Sequence, residues 1–131
     1  MRTVITFGTF DLLHIGHVKF LERAKKYGDR LIVGVSSDAL SFYKKQRYPI
    51  YPEKERREII YSLRYVDDVF LEESLELKGE YIKKYKADVL IMGNDWEGEF
   101  DLFKELCSVI YLPRTQGVST TKVITEITKY G

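Results

Sequence analysis

The stretch "GTFDLLHIGH" (residues 8–17) sets two histidines, His14 and His17, three residues apart around a glycine, with Asp11 just before them. An imidazole held there can donate a hydrogen bond to a phosphoryl oxygen whose charge grows in a transition state, which is electrostatic stabilisation and not nucleophilic attack. Gly8 closes an apolar run and Gly16 opens a helical one, so backbone N–H groups and the positive end of a helix can face an anion at close range. A carboxylate such as Asp11 only accepts hydrogen bonds. It could hold a divalent ion that bridges to a phosphate, or orient a neighbouring group. Two other readings compete: histidines that merely bond backbone carbonyls, and a zinc site, for which no companion ligand cluster is evident.

Three further segments could do related chemistry. "KKQR" (44–47) carries three cations, among them Lys45 and Arg47, between Tyr43 and Tyr48. By itself it reads as a solvated loop; opposite a phosphate-seeking helix terminus it reads as a lid. "GNDWEGEFD" (93–101) holds the sole tryptophan, Trp96, among four acidic residues. Trp96 is either core or the flank of a base or small polar substrate, with Asp95 accepting a hydrogen bond. "RTQGVSTT" (114–121) combines Arg114 with Ser119, Thr120 and Thr121 at the start of a helical pattern, a second anion site by the same dipole argument.

The elements that must position these groups follow from periodicity. "RTVITFG" (2–8) is a β-branched strand, and "GHVKFLERAKKYG" (16–28) has helical spacing with a glycine stop. "RLIVGVSSD" (30–38) is the continuous apolar run of a strand buried on both faces. The alternation continues with a helix over 52–65, a strand over 66–72, a helix over 74–86 and a strand over 88–93. A short helix over 100–107, a strand over 108–114 and a closing helix over 119–130, capped by Ser119 or Thr120, complete it. Residues 41–52 read as an irregular loop lying over the site. Right-handed crossovers make this a single doubly wound, Rossmann-like α/β domain over 1–131, a parallel sheet with helices on both faces. Ligands in such sheets bind beyond the carboxyl ends of the strands, where strand order reverses.

The totals narrow the function classes. A chain of 131 residues with 44% hydrophobic and 31% charged residues suits one globular domain. Twenty-one basic against twenty acidic residues leave no whole-surface field, so duplex nucleic acid is not an expected partner. Cys107 stands alone in the sequence and reads as a small apolar residue near a helix end. No apolar run approaches a membrane span, and "MRTVITFGTFD" enters structure without a signal-peptide pattern; a cytoplasmic protein is expected. Two helix N-termini, two histidines and several cations around one cleft describe a pocket for a triphosphate about to be cut.

"GTFDLLHIGH" resembles the HxGH turn of the nucleotidylyltransferases, and "STTK" (119–122) resembles their second signature. A lone HxGH fits adenylyl and cytidylyl transfer equally, but "RYVDDV" (64–69), "MGNDWEGEFD" (92–101) and "YLPRTQGVSTTK" (111–122) look like the cytidylyltransferase family over nearly the entire chain. That resemblance implies transfer of CMP from CTP to a phosphomonoester with release of pyrophosphate, and with glycerol 3-phosphate as acceptor the product is CDP-glycerol for wall teichoic acid or capsule synthesis. The alternative is a nucleotidylyltransferase with another phosphomonoester acceptor or with ATP. The resemblance also implies magnesium and a homodimer. Carried over to this sequence, it has His14, His17, Lys45 and Arg114 act in catalysis. Thr9, Phe10, Asp11, Asp95, Ser119, Thr120 and Thr121 line the nucleotide site, with Asp95 reading the cytosine amino group and Asp11 a metal ligand. Lys45, Arg47, Arg56 and Trp96 meet the acceptor, and Arg64 and Asp67 form the subunit contact. Arg47 falls where the family has a lysine, and Asn94 where it has an aspartate. With no GxSxG elbow and no paired reactive cysteine, the acceptor phosphate is expected to attack the α-phosphorus directly.

Overall fold

The β-branched run Thr3–Gly8 forms β1, Arg30–Ser36 forms β2, Asp68–Glu72 forms β3, Val89–Gly93 forms β4 and Ser108–Leu112 forms β5. In this computed structural model, which describes residues 1–115 and 117–130 with the side chain of Tyr130 left aside, these five pair in parallel in the order β3-β2-β1-β4-β5. The chain winds outward from β1 to β3 and then returns to the other side of β1 for β4. Strand order therefore reverses between β1 and β4, and the crevice predicted for a doubly wound sheet lies beyond Gly8 and Gly93.

Alternation along the strands splits the core into two layers. Val4, Leu31, Val33, Val35, Val89 and Ile91 point to one face, where they meet Leu21 and Ala24 of α1 (Ile15–Lys25) and Ile60 of α3 (Glu53–Tyr61). Ile5, Phe7, Ile32, Phe70, Leu90 and Met92 point to the other, against Ile82 of α4 (Lys78–Lys84) and the aromatic rings of Phe100 and Phe103. Cys107 packs at the edge of this second layer, as a small apolar residue should, and its burial raises the thiol pKa. The last helix, α5, spans Thr120–Tyr130. Among the described residues no helix is long and apolar enough to cross a membrane.

Three expectations need correction. Residues 41–52 are not wholly irregular: α2 (Asp38–Lys45) starts ahead of them, where the Ser37 hydroxyl accepts the Leu40 N–H at 3.0 Å, and it buries Leu40 and Ser41. It ends at Gln46, whose φ of 60° is left-handed. The helix expected over 100–107 is a 3-10 turn at Asp101–Glu105. The helix expected over 74–86 is broken into a 3-10 turn, Leu75–Leu77, and α4.

Gly34 sits mid-strand in β2 because two rings close over it. A Cβ there would lie 2.6 Å from Phe70 Cζ and 2.7 Å from Phe7 Cδ1. Gly34→Ala should therefore cost about 1–3 kcal/mol of stability through overpacking, read as a lower midpoint of urea unfolding at unchanged slope.

Candidate active site

The turn after β1 explains the spacing of the two histidines. His14 is the N-cap of α1, and its Nδ1 accepts the Gly16 N–H at 3.0 Å. The backbone N–H of His14 in turn donates to Nδ1 of His17 at 3.2 Å. The pair forms a capping box built from two imidazoles, with ring centroids 3.8 Å apart and planes 20° from parallel. Gly16 is required between them, since a Cβ would lie 2.8 Å from Cε1 of His14. A neutral imidazole has one donor and one acceptor nitrogen. With both Nδ1 atoms accepting, each ring carries its proton on Nε2 and offers it to the cleft.

The surroundings keep both rings neutral. Burial lowers the His14 pKa, aided by the Arg114 guanidinium. Burial lowers that of His17 further, to about 4, with His14, Lys45 and Arg114 acting in the same direction and the Asp11 carboxylate against them. Phe10 closes the back of the site, its ring edge-on to His17 at 5.5 Å.

The four segments singled out in the sequence meet around one cleft of about 1170 Å³. Its walls include Thr9, Phe10, Asp11, His14 and His17 from the first turn and Lys45 and Arg47 from the end of α2. Asp95 and Trp96 follow β4, and Arg114, Ser119, Thr120 and Thr121 come from the last connection and α5. Arg114 lies 3.5 Å from Asp95, both largely exposed, so this ion pair contributes little stability and leaves the guanidinium available. Trp96 is not core: it is 42% exposed on the rim, tilted against Phe100 at 5.8 Å. Ser119 is the cap of α5, accepting the Lys122 N–H at 3.0 Å.

Several residues do something other than expected. Asp11 is 7% exposed, and its carboxylate accepts the N–H groups of Leu12 (3.1 Å), Ile50 (2.7 Å) and Tyr51 (2.9 Å). It orients the turn, the second of the two roles open to it, and both oxygens are engaged. Among the described residues there is also no group of three His, Cys, Asp or Glu that could hold a metal ion. These side chains do not fit a protein-built magnesium site. Arg56 cannot meet an acceptor: it is 0% exposed, and its donors go to the carbonyls of Tyr51, Thr9 and Ser36, each at 2.8 Å, and to Asp38 Oδ1 at 2.7 Å. The Thr120 hydroxyl donates to the Asp11 carbonyl at 2.9 Å, which moors α5 to the histidine turn. Arg64 and Asp67 lie outside the cleft. Arg64 donates to the exposed Tyr65 hydroxyl at 3.0 Å, while the Asp67 carboxylate takes the Leu31 N–H at 2.8 Å and pairs with Lys25.

Sequence reasoning missed a second cationic wall. Lys44 and Lys78 both line the cleft, Lys78 almost fully buried and paired with the fully buried Glu72. Lys44 donates to the Ser36 hydroxyl at 2.9 Å, and burial lowers its pKa to about 8, with Lys78, Lys45 and Arg56 acting in the same direction and Glu72 against. A lysine in "SLELKGEY" reads as a solvated helix residue. Only its position beside the end of β3 reveals otherwise.

Residues 5–126 match the profile of the cytidylyltransferase-like family. The glycerol-3-phosphate cytidylyltransferase of Bacillus subtilis is 50% identical over 97% of this chain and 98% of its own length, and that of Staphylococcus aureus is 46% identical over 97% and 96%. Among solved structures, a lipopolysaccharide core biosynthesis protein from Thermoplasma volcanium superposes with a TM-score of 0.79 at 27% identity, covering 88% of this chain and 99% of the other.

The protonation scheme has a measurable signature. His17 should keep its Nε2–H tautomer, without titrating, from pH 8 down to pH 5 in nitrogen NMR spectra of the ring; a midpoint near the ordinary 6.5 would contradict it. The unfolded chain takes up that proton near 6.5 and the folded chain only near 4. Stability conferred by the neutral ring is thus complete above about pH 6.5 and is lost as pH falls through that window. His17→Gln should flatten that acid loss in urea titrations at pH 7 and pH 5.

Proposed function

Because this chain belongs to the cytidylyltransferase-like family, we propose that it transfers CMP from CTP to glycerol 3-phosphate, giving CDP-glycerol and pyrophosphate. The observation that carries this reading is the pair of stacked, neutral imidazoles presenting Nε2–H donors to a cleft that also receives Arg114 and the start of α5. Neutral donors suit a transferring phosphoryl group: they strengthen their hydrogen bonds as charge develops and lose no proton in doing so.

The roles follow from position. His14 and His17 donate to the α-phosphoryl oxygens, while Arg114, Ser119 and Thr121 hold the phosphates that leave as pyrophosphate. Lys45 and Arg47, at the end of α2, meet the acceptor, with Lys45 also close to the reacting phosphate. Asp95, on the rim beside Trp96, accepts from the cytosine amino group. Lys44 and Lys78 face the acceptor phosphate, which is already a nucleophile and needs positioning more than activation. Magnesium, for which the protein builds no carboxylate cage among the described residues, would arrive on the nucleotide's own phosphates, the usual habit of that ion. A homodimer with Arg64 and Asp67 at the contact belongs to the same reading. The committed carboxylate of Asp67 gives that residue a structural role within its own chain.

The experiment is pyrophosphate release with CTP or ATP, each with and without glycerol 3-phosphate. Release is expected with CTP and glycerol 3-phosphate together, and His14→Ala and His17→Ala should each lower kcat by about 10²–10³. Release with ATP in place of CTP would move the chain to adenylyl transfer. CTP binding with no release for any phosphomonoester would make it a nucleotide-binding module.

A further inference from the structure

The wall of the cleft away from the histidines contains a carboxylate that the reaction does not explain. Glu72, the last residue of β3, is fully buried, and burying a carboxylate is costly unless charges and hydrogen bonds compensate it. Its compensation comes from two elements. Lys78, the first residue of α4, is 4% exposed and pairs directly with Glu72 through Nζ and Oε2. On the other side the Ser36 hydroxyl, at the end of β2, donates to Glu72 Oε1 at a long 3.4 Å and accepts from Lys44 Nζ at 2.9 Å. One carboxylate thus anchors two ammonium groups, one directly and one through a hydroxyl. The Lys78 ammonium also lies over the ring faces of Phe7 (4.7 Å) and Phe100 (5.5 Å), which flank it.

The charge balance is informative. Arg56, the nearest guanidinium, is paired with Asp38 and does not enter the cleft. Lys44, Lys78 and Glu72 together carry two ammonium groups against one carboxylate where both lysines border the cavity, whose lining also includes Glu76, Glu80 and Glu99. A purely structural pair would balance itself and need no second lysine. Two lysines on one carboxylate leave the set with an excess positive charge, which an incoming phosphate anion can meet.

Resting on the reading of function above, we infer that Glu72 is the positioning residue of the acceptor end of the site. Its buried carboxylate holds the ammonium groups of Lys78 and, through Ser36, of Lys44 in place for the phosphate of the acceptor. Glu72 touches no reacting atom in this scheme. It acts on the acceptor through two lysines from different elements.

The groups facing Lys44 set the pH behaviour. Glu72 of β3 favours its charged form, whereas Lys78 of α4, Lys45 of its own helix and Arg56 of α3 disfavour it, and Ser36 of β2 is its neutral partner. With Lys44 titrating near 8, acceptor affinity should fall as pH rises through that value. Glu72→Gln removes the favourable charge, so the alkaline limb of kcat/KM for glycerol 3-phosphate should move down by about one pH unit, since a close opposite charge shifts a pKa by about 1–3 units. At pH 7.5 the acceptor KM should rise about threefold while the KM for CTP stays within about twofold, since a midpoint moved from about 8 to about 7 lowers the protonated fraction of Lys44 from about three quarters to about one quarter. An unmoved limb with wild-type acceptor KM overturns the inference. So does an equal loss toward CTP and acceptor, which would mark Glu72 as structural only. If Glu72→Gln does not fold, Ser36→Ala decides: it keeps the Glu72–Lys78 pair and cuts the link to Lys44, so a rise confined to the acceptor KM supports the inference and unchanged constants overturn it. Should the unaltered protein release no pyrophosphate, the reading of function fails by itself. The inference is then judged by nitrogen NMR titration of the Lys44 ammonium in the free protein, whose midpoint must fall in Ser36→Ala or Glu72→Gln.

Discussion

The site depends on a pair of buried charges that hold bare backbone. Asp11 collects three backbone N–H groups and Arg56 donates to three carbonyls and a carboxylate, and these partners belong to the segments that make the cleft. Thr9 and Leu12 belong to the histidine turn, Ser36 and Asp38 to the junction of β2 and α2, and Ile50 and Tyr51 to the connection into α3. Without this network the connection between α2 and α3, rich in exposed aromatic residues, would have little to fix it over the sheet. Thr120 extends the same logic to α5 through the carbonyl of Asp11. Arg56 and Asp11 are thus read best as the frame of the site, with the chemistry done by side chains the frame holds.

Around that frame the electrostatics are sorted by distance from the reacting centre. The histidines are desolvated and ringed by cations, and both effects favour the neutral, donating imidazole. The cations themselves sit further out, where Lys45, Arg47 and Arg114 stay solvated and lose little by waiting for an anion. Lys44 and Lys78 are the exception, drawn inward and sustained by Glu72. A triphosphate and a phosphomonoester repel one another, and a cleft with cations on two walls and neutral donors between them lowers that repulsion along the line of attack.

The order of the elements is readable because each strand is a short apolar run closed by a glycine, a turn or a charge, and the continuous apolar run of β2 marks a strand buried on both faces. The histidine turn is readable from two histidines three residues apart around the glycine that opens a helical pattern; that the two rings cap the helix is a finding of the structure. What escaped the sequence is what depends on pairing across elements. The short α2 buries only Leu40 and Ser41, so its single tyrosine and two lysines make it look like a loop. Lys78 and Glu72 are six residues apart but belong to a helix start and a strand end, and neither residue alone distinguishes a buried ion pair from two solvated charges. The family resemblance sets Arg56 at the acceptor, yet its helix turns it inward to carbonyl groups that no sequence pattern displays.

The turn itself shows why a frame of buried charges is needed at all. Phe10 and Leu12 both have φ near 50°, a region that costs an ordinary residue roughly 1–2 kcal/mol, and neither is glycine. Glycine there would remove the strain but also the Phe10 ring that packs edge-on to His17 and desolvates it. The fold instead keeps the side chain and offsets the strain with charge-assisted hydrogen bonds, each worth about 1.5–3 kcal/mol when buried. Asp11 lies between the two strained residues and binds the backbone on both sides of the cleft, so the strain and its compensation occupy the same three positions. Held in that uncommon conformation, the turn stacks two imidazoles at the end of β1 with their Nε2 protons offered to the cleft.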